Sequence, residues 1–222
     1  MLKAVIFDMD GVVADSEPLH LKAENMTLSP YKVQITQEDC LEFMGRSSKQ
    51  LMASLIQKYS IKVDLEEIFL KHKENLLQLY KNEITPIKGS LSLLQWFKEK
   101  KYPLALASSS STQLVESVIK NFRIDDIFDA VVTGSEIKKF KPAPDIFLEA
   151  AVRLSVEPEK ILVIEDSAAG VTAAKSAGMY CVGFRSPHTP GQDLRRADLI
   201  IDDFTVFLEM LQNKNLEKII FS

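Results

Sequence analysis

The stretch VIFDMDGVVADSEPLH (5–20) ends an apolar run on two carboxylates, Asp8 and Asp10, two residues apart. In an extended strand alternate side chains point the same way, so both project together where the strand leaves its sheet. Unpaired, such neighbours resist joint ionisation. A divalent cation removes that difficulty, and magnesium favours oxygen ligands from one or two carboxylates plus substrate phosphate. Gly11 permits a sharp exit that a side chain would hinder. Taken alone, the pattern also fits an ordinary Asp-Gly turn.

Three other apolar runs end on complementary groups. LALASSSS ends on Ser108, a hydroxyl donor beside the N–H groups of a helix N-terminus, a ready anion site, although Ser109 to Thr112 also suit helix capping. KFKPAPDIF places Lys141 before Pro142, which turns the lysine's backbone away from the helix region, while Pro144 suits a first helical turn. LVIEDS ends on Glu165 and Asp166, where Asp166 or Ser167 can equally cap a helix. Together the four clusters supply a nucleophile, a metal site and donors for the oxygens of a transferring phosphoryl group.

These clusters need elements that hold them side by side. The runs at 4–8, 103–108, 130–134, 161–166, 180–184 and 199–202 are nearly continuously apolar, as expected of strands covered on both faces. Between them lie helix-period segments. In 111–122, Val115, Val118, Ile119 and Phe122 form one stripe, and 167–178 opens on Ser167 and closes on Gly178. Alternation of this kind predicts a doubly wound parallel-sheet, Rossmann-like α/β core, with ligands at the carboxyl ends of the strands. The interval from Ser16 to Pro86 has only helical patterns, such as KQLMASLIQKY and LEEIFLKHKENLLQLYK. It reads as an inserted α-helical cap domain (16–86) in a core made of 1–15 and 87–222. Phe69, Leu76, Leu77 and Tyr80 are assigned to its interior, and LRRADLIIDD to a last edge strand with Arg195 and Arg196 at the surface.

Composition narrows the function. A net charge of −4 lacks the basic excess of a phosphate-backbone binder, which argues against nucleic acid as a partner. No run approaches the roughly 20 apolar residues of a membrane span, and the N-terminal run is too short and acidic for a signal peptide. The two cysteines, Cys40 and Cys181, form no disulfide framework. The expectation is a reduced, cytoplasmic protein; the sequence sets no oligomeric state, and a monomer is compatible with it.

The order FDMDGV, LASSS, FKPAPDIF, VIEDSAAG, covering essentially the whole chain, resembles the haloacid dehalogenase superfamily of phosphotransferases. The helical insert directly after the first motif is similar to that of the subgroup containing β-phosphoglucomutase and many sugar-phosphate phosphatases. The resemblance implies that Asp8 is the nucleophile, accepting the phosphoryl group as an aspartyl-phosphate. It makes Asp10 the general acid/base, and Ser108 and Lys141 the grip on the phosphoryl, with Lys141 also offsetting the charge of Asp8. It implies Mg²⁺ held by Asp8, the backbone carbonyl of Asp10, and Asp166, with Glu165 as a ligand or outer-shell group. An acid/base at Asp10 argues against a true dehalogenase.

Substrate choice is expected in the insert. Its candidates are His20, Arg46, Lys49 and Lys73, joined from the core by Gly11 and Ser109. A guanidinium at Arg46 suits two-point contact with a second phosphate or a carboxylate, whereas Lys49 and Lys73 also read as solvated surface charge. His20 follows DSEP, as in β-phosphoglucomutases, but that pattern also occurs in phosphatases of the group. His72 and His188 have no partner that the sequence names. The expected function is a Mg²⁺-dependent phosphatase of a small phosphorylated metabolite, chiefly a sugar phosphate. The alternatives are a β-phosphoglucomutase, and a phosphometabolite-binding protein without turnover, which the presence of every motif residue disfavours.

Overall fold

The structure, a computed structural model, describes residues 1–36, 38–39 and 48–213. Six strands, β1 (Ala4–Phe7), β2 (Leu104–Ser108), β3 (Ala130–Thr133), β4 (Ile161–Glu165), β5 (Tyr180–Phe184) and β6 (Leu199–Ile201), form one sheet of order β3-β2-β1-β4-β5-β6. All pairings are parallel. Each of the six apolar runs in the sequence is therefore a strand, and LIID is at the sheet edge. The sheet is buried on both faces, which is why its strands lack polar alternation.

The helices that cover it are α4 (Ser90–Glu99), α5 (Thr112–Phe122), α6 (Asp145–Leu154), α7 (Ala168–Ser176) and α8 (Phe204–Asn213). Ala4, Ile6, Ala105, Ala107, Ile161 and Val163 pack with Phe147 and Ala150 of α6 and Val171 and Ala174 of α7. The alternate residue Phe7 points to the other face, where its ring meets Phe97 of α4 edge-on with centroids 5.9 Å apart. Ser167 caps α7 by accepting from the Gly170 N–H (3.0 Å), and Gly178 follows with φ +77°. Pro144 is the N-cap residue of α6, one position before the first turn.

β1 is paired to β2 on one side and β4 on the other, Phe7 lying opposite both Leu106 and Ile164. The chain runs outward from β1 in one direction and then returns to run outward in the other, so the gap between β1 and β4 is the topological switch point where such sheets bind ligands.

The chain divides into two compact units, Met1–Asp15 with Thr85–Ser222, and Ser16–Ile84. The junctions are stitched within the first unit: the Asp15 N–H donates to Thr85 O (2.9 Å), and the Ile87 N–H and Ser90 hydroxyl both donate to Val13 O (3.1 Å each). These bonds draw Thr85 and Pro86 into the sheet-bearing unit. The second unit holds α1 (Glu17–Leu28), α2 (Ser48–Lys58) and α3 (Leu65–Glu83). Asp64 caps α3 through the Glu66 and Glu67 N–H groups (2.9 and 3.2 Å). Leu28, Ile35, Met52, Leu55 and Ile68 form the unit's interior, with Phe69 partly buried against them. Tyr80, Leu76 and Leu79 are also buried. Among the described residues no helix is long and apolar enough to cross a membrane.

Candidate active site

Asp8 lies one residue beyond β1, its N–H continuing the ladder to Ile164 O (3.0 Å), and only 5% of the residue is exposed. The chain then folds over sharply. The N–H groups of Val12, Val13 and Ala14 converge on Met9 O, and the Gly11 N–H donates to Ala14 O (2.8 Å). Gly11 sits at φ +76°, and a Cβ there would collide with the Asp166 carboxylate. Both the backbone conformation and the lack of space require glycine at this position.

The two carboxylates of the first motif have different surroundings. Asp8 accepts from the Lys141 ammonium, which also donates to Glu165 Oε1 (2.7 Å) and lies over the Phe147 ring, 4.8 Å from its centroid. Asp10 is half-buried, and its Oδ2 accepts from the hydroxyls of Ser108 (3.1 Å) and Ser110 (2.8 Å). The Ser110 N–H in turn donates to Ser108 Oγ (3.0 Å). Ser110 was not singled out by the sequence beyond a helix-capping run. Ser109 is exposed at its side.

Glu165 is 1% exposed, and its second oxygen accepts from the Ser167 N–H (2.7 Å) and hydroxyl (2.9 Å). A Cβ on Gly170 would run into this same carboxylate, so the helix approaches it closely only because that residue is glycine. With both oxygens engaged by protein donors, Glu165 is arranged to hold Lys141 and the start of α7. Asp166 is 5% exposed and accepts at Oδ2 from the Thr189 hydroxyl (3.0 Å), a contact with no signal in the sequence.

Burial pushes the Asp8 carboxyl up to about 8; Lys141 pulls against this, while Glu165 and Asp10 add to it. Burial likewise raises Asp166 well above the usual carboxylate range, with Glu165 and Asp8 contributing. For Lys141, burial alone would favour the neutral amine, but Asp8 and Glu165 outweigh it and hold the ammonium charged. Three buried carboxylates thus face one buried ammonium, an excess of negative charge that a divalent cation would neutralise. Among the described residues no three or more His, Cys, Asp or Glu side chains are arranged to enclose a metal ion unaided. Asp8 and Asp166 remain as a carboxylate pair, and that number suits magnesium, which keeps waters and takes substrate phosphate as further ligands.

The sequence profile described as haloacid dehalogenase-like hydrolase matches residues 5–184. The chain belongs to that family. It is 34% identical over 178 residues to the phosphorylated carbohydrates phosphatase of Thermotoga maritima, covering 80% of this chain and 82% of that protein. It is 33% identical over 210 residues to the beta-phosphoglucomutase of Bacillus subtilis, covering 90% and 89%. Among solved structures, mutant CbbY from Rhodobacter sphaeroides in complex with xylulose-(1,5)bisphosphate superposes with a TM-score of 0.81 at 28% identity, over 92% of this chain and 95% of that one.

In this haloacid dehalogenase-like chain the remaining candidates belong to the helical unit. His20 is half-buried on α1, with Nε2 3.2 Å from the Tyr80 hydroxyl of α3. Lys49 pairs with Glu66, and both Lys49 and Lys73 lie over the Phe69 ring, at 5.8 and 5.6 Å from its centroid. Arg46 lies outside the described residues, as does Cys40. His188 meets Asp15 (3.3 Å), a partner the sequence did not supply. A cavity of about 530 Å³ lined by Lys22, Asn25, Ser29 and Lys32 also belongs to this unit, but it includes none of the candidate residues, and Lys22 is already paired with Glu83 (2.5 Å).

Proposed function

We propose that this protein is a Mg²⁺-dependent phosphatase of a small phosphorylated metabolite, with sugar phosphates as the leading class. The observation that carries the reading is the unequal pair at the end of β1: Asp8 buried on Lys141, and Asp10 half-buried on two serine hydroxyls. Carboxylates in such different environments suit different roles, one as nucleophile and one as proton carrier.

An Asp8 oxygen attacks phosphorus, forming the aspartyl-phosphate bond while the bond to the leaving ester oxygen breaks. Asp10, protonated at that stage, gives its proton to the departing oxygen. It then takes one from the water that attacks phosphorus and releases Asp8, a role worth about 10²–10⁴-fold. Lys141 and the N–H groups beside Ser108 bind the phosphoryl oxygens, and the Ser108 hydroxyl turns from Asp10 to join them when substrate is bound. Mg²⁺, bound by Asp8, the Asp10 carbonyl and Asp166, would stabilise the charge on those oxygens. Glu165 holds Lys141 instead of the cation. His20 and Arg46 are proposed as the substrate-selecting groups of the helical unit, with Ser109 contributing its backbone N–H at the phosphoryl and Gly11 shaping the turn beside it. The cytoplasm is the proposed compartment, in keeping with a free, buried Cys181.

A panel of phosphorylated metabolites assayed with Mg²⁺ and with chelator tests the reading. Phosphate release that depends on Mg²⁺ and falls by at least about 10⁴-fold in Asp8→Asn is expected; release that survives that substitution sinks the mechanism. Similarity to the Bacillus subtilis beta-phosphoglucomutase along nearly its full length supports a second reading, in which a sugar hydroxyl replaces water as acceptor. Incubation with β-glucose 1-phosphate and a trace of the bisphosphate separates the two. Glucose 6-phosphate without free phosphate means mutase.

A further inference from the structure

The connection from β5 to β6 bends back over the strand ends and touches the core at three places. His188 reaches Asp15 (3.3 Å), Thr189 reaches Asp166 (3.0 Å), and the Gln192 side-chain oxygen accepts the Ala168 N–H at the start of α7 (2.9 Å). His188 and Thr189 lie between Pro187 and Pro190, whose rings fix two of the backbone angles and limit the freedom of the tip. Thr189 itself is β-branched, which restricts the direction of its hydroxyl.

We propose that Thr189 is a positioning residue for the cation carboxylate Asp166. The inference rests on reading Asp166 as a magnesium ligand. Two observations lead to it. The Thr189 hydroxyl donates to Oδ2, so that oxygen is tied to the strap. The backbone of Gly11 closes against the same carboxylate, leaving no room even for a methyl group. Held between a hydroxyl and a bare backbone, the carboxylate cannot turn freely, and Oδ1 is presented in one orientation. Groups that orient a metal ligand in this way typically contribute about 10–100-fold to metal affinity. Because Asp166 is buried, the hydroxyl also satisfies an oxygen that would otherwise lose its hydration without compensation.

The test is calorimetric titration of the full chain with Mg²⁺ in the absence of substrate, alongside urea unfolding of the metal-free protein. Thr189→Val, which keeps shape but removes the hydroxyl, is expected to raise the Mg²⁺ Kd about 10-fold or more. Thr189→Ser, which restores the hydroxyl, should return it to within about threefold of wild type, since the donor is the group that matters. His188→Ala cuts the neighbouring tether and should leave the Mg²⁺ Kd unchanged. Wild-type affinity in Thr189→Val, failure of Thr189→Ser to rescue, or an equal loss in His188→Ala overturns the inference; the last would mean that the strap is merely anchored. Asp166→Asn keeps the two levels apart. If it abolishes Mg²⁺ binding while Thr189→Val does not, the positioning role alone falls. If it binds Mg²⁺ as well as wild type, or if wild type binds none, the cation reading of the site falls with it.

Discussion

Lys141 in the core and His72 in the helical unit are buried on different terms. At the strand ends of the core, Lys141 joins Asp8 and Glu165, Ser167 completes Glu165, and Thr189 meets Asp166. In the helical unit, His72 on α3 is 1% exposed, and among the described residues neither ring nitrogen has a hydrogen-bond partner. Its ring stacks on Phe69 at 6.5 Å between centroids. Burial holds His72 down at about 4, with His20 adding to the effect, so its imidazole is neutral near pH 7. Near by, Asn75 donates to the Thr27 hydroxyl (3.0 Å), so the unit does pair other buried polar groups. The contrast shows two solutions to one problem: at Lys141 the core sets charge against charge, whereas at His72 the helical unit keeps the imidazole uncharged and treats the ring as packing.

Removing the compensating charge should do most to break this contrast. Lys141→Met leaves two buried carboxylates, Asp8 and Glu165, without their shared ammonium, and a loss of about 3–5 kcal/mol in urea unfolding is expected. Saturating Mg²⁺ should recover part of it. Stability equal to wild type would mean that the core does not depend on this pairing.

The helical unit should instead reveal itself through acid. The folded chain protonates His72 only near pH 4, whereas the unfolded chain does so near 6.5, so between these values the unfolded state binds more protons. Stability therefore falls as pH drops from 6.5 to 4, by about 3 kcal/mol from this residue, and is unaffected above 6.5. His72→Leu should flatten that part of the profile in unfolding experiments from pH 4 to 7. An unchanged slope would place the acid sensitivity elsewhere.

A smaller effect should separate the two hydroxyls on Asp10. Ser110→Ala removes one donor from a half-buried carboxylate, and kcat should fall about 5–10-fold, the scale of one such hydrogen bond. Half-saturation by Mg²⁺ should stay where it was, and Ser110→Thr should restore turnover. A change in Mg²⁺ dependence instead would tie Ser110 to the cation and not to Asp10.

Least of all is expected from Lys49. Its pair with Glu66 is exposed, so Lys49→Ala should cost less than about 1 kcal/mol. KM should remain within about twofold if the lysine only covers the Phe69 ring, since exposed pairs of this kind carry little energy. A tenfold rise would return it to the substrate-selecting groups.

Much of this was readable from the sequence. The six strands announced themselves because a sheet buried on both faces needs unbroken apolar runs, and Asp8, Asp10, Ser108, Glu165 and Asp166 stood out as polar groups closing such runs, whereas Lys141 was marked only by its Lys-Pro step and lies between β3 and α6, beyond any strand end. The different surroundings of Glu165 and Asp166 were not readable. They depend on Ser167 turning back onto Glu165 and on Thr189 arriving from a loop 23 residues further along. Ser110 was hidden by its serine neighbours, since only the fold brings it 2.8 Å from Asp10, 100 positions away. His72 could have been found: Ile68, His72, Leu76, Leu79 and Tyr80 keep a helical spacing, and all are buried. A histidine on an apolar stripe is a packing residue until a partner is shown.

The bonds at the junctions have a consequence for how such proteins diversify. With Asp15 donating to Thr85, and Val13 accepting from Ile87 and Ser90, the ends of the insertion are fastened together by the core itself. To the sheet, everything from Ser16 to Ile84 is equivalent to one tight turn, however long it is. The entropy of closing a flexible loop grows only slowly with its length, and here the closure is made by bonds that belong to neither α1 nor α3. A different module could therefore be grafted between the same two residues with the strand ends undisturbed, so that, on the proposed roles of the two units, selection can exchange what the enzyme recognises without rebuilding what it does.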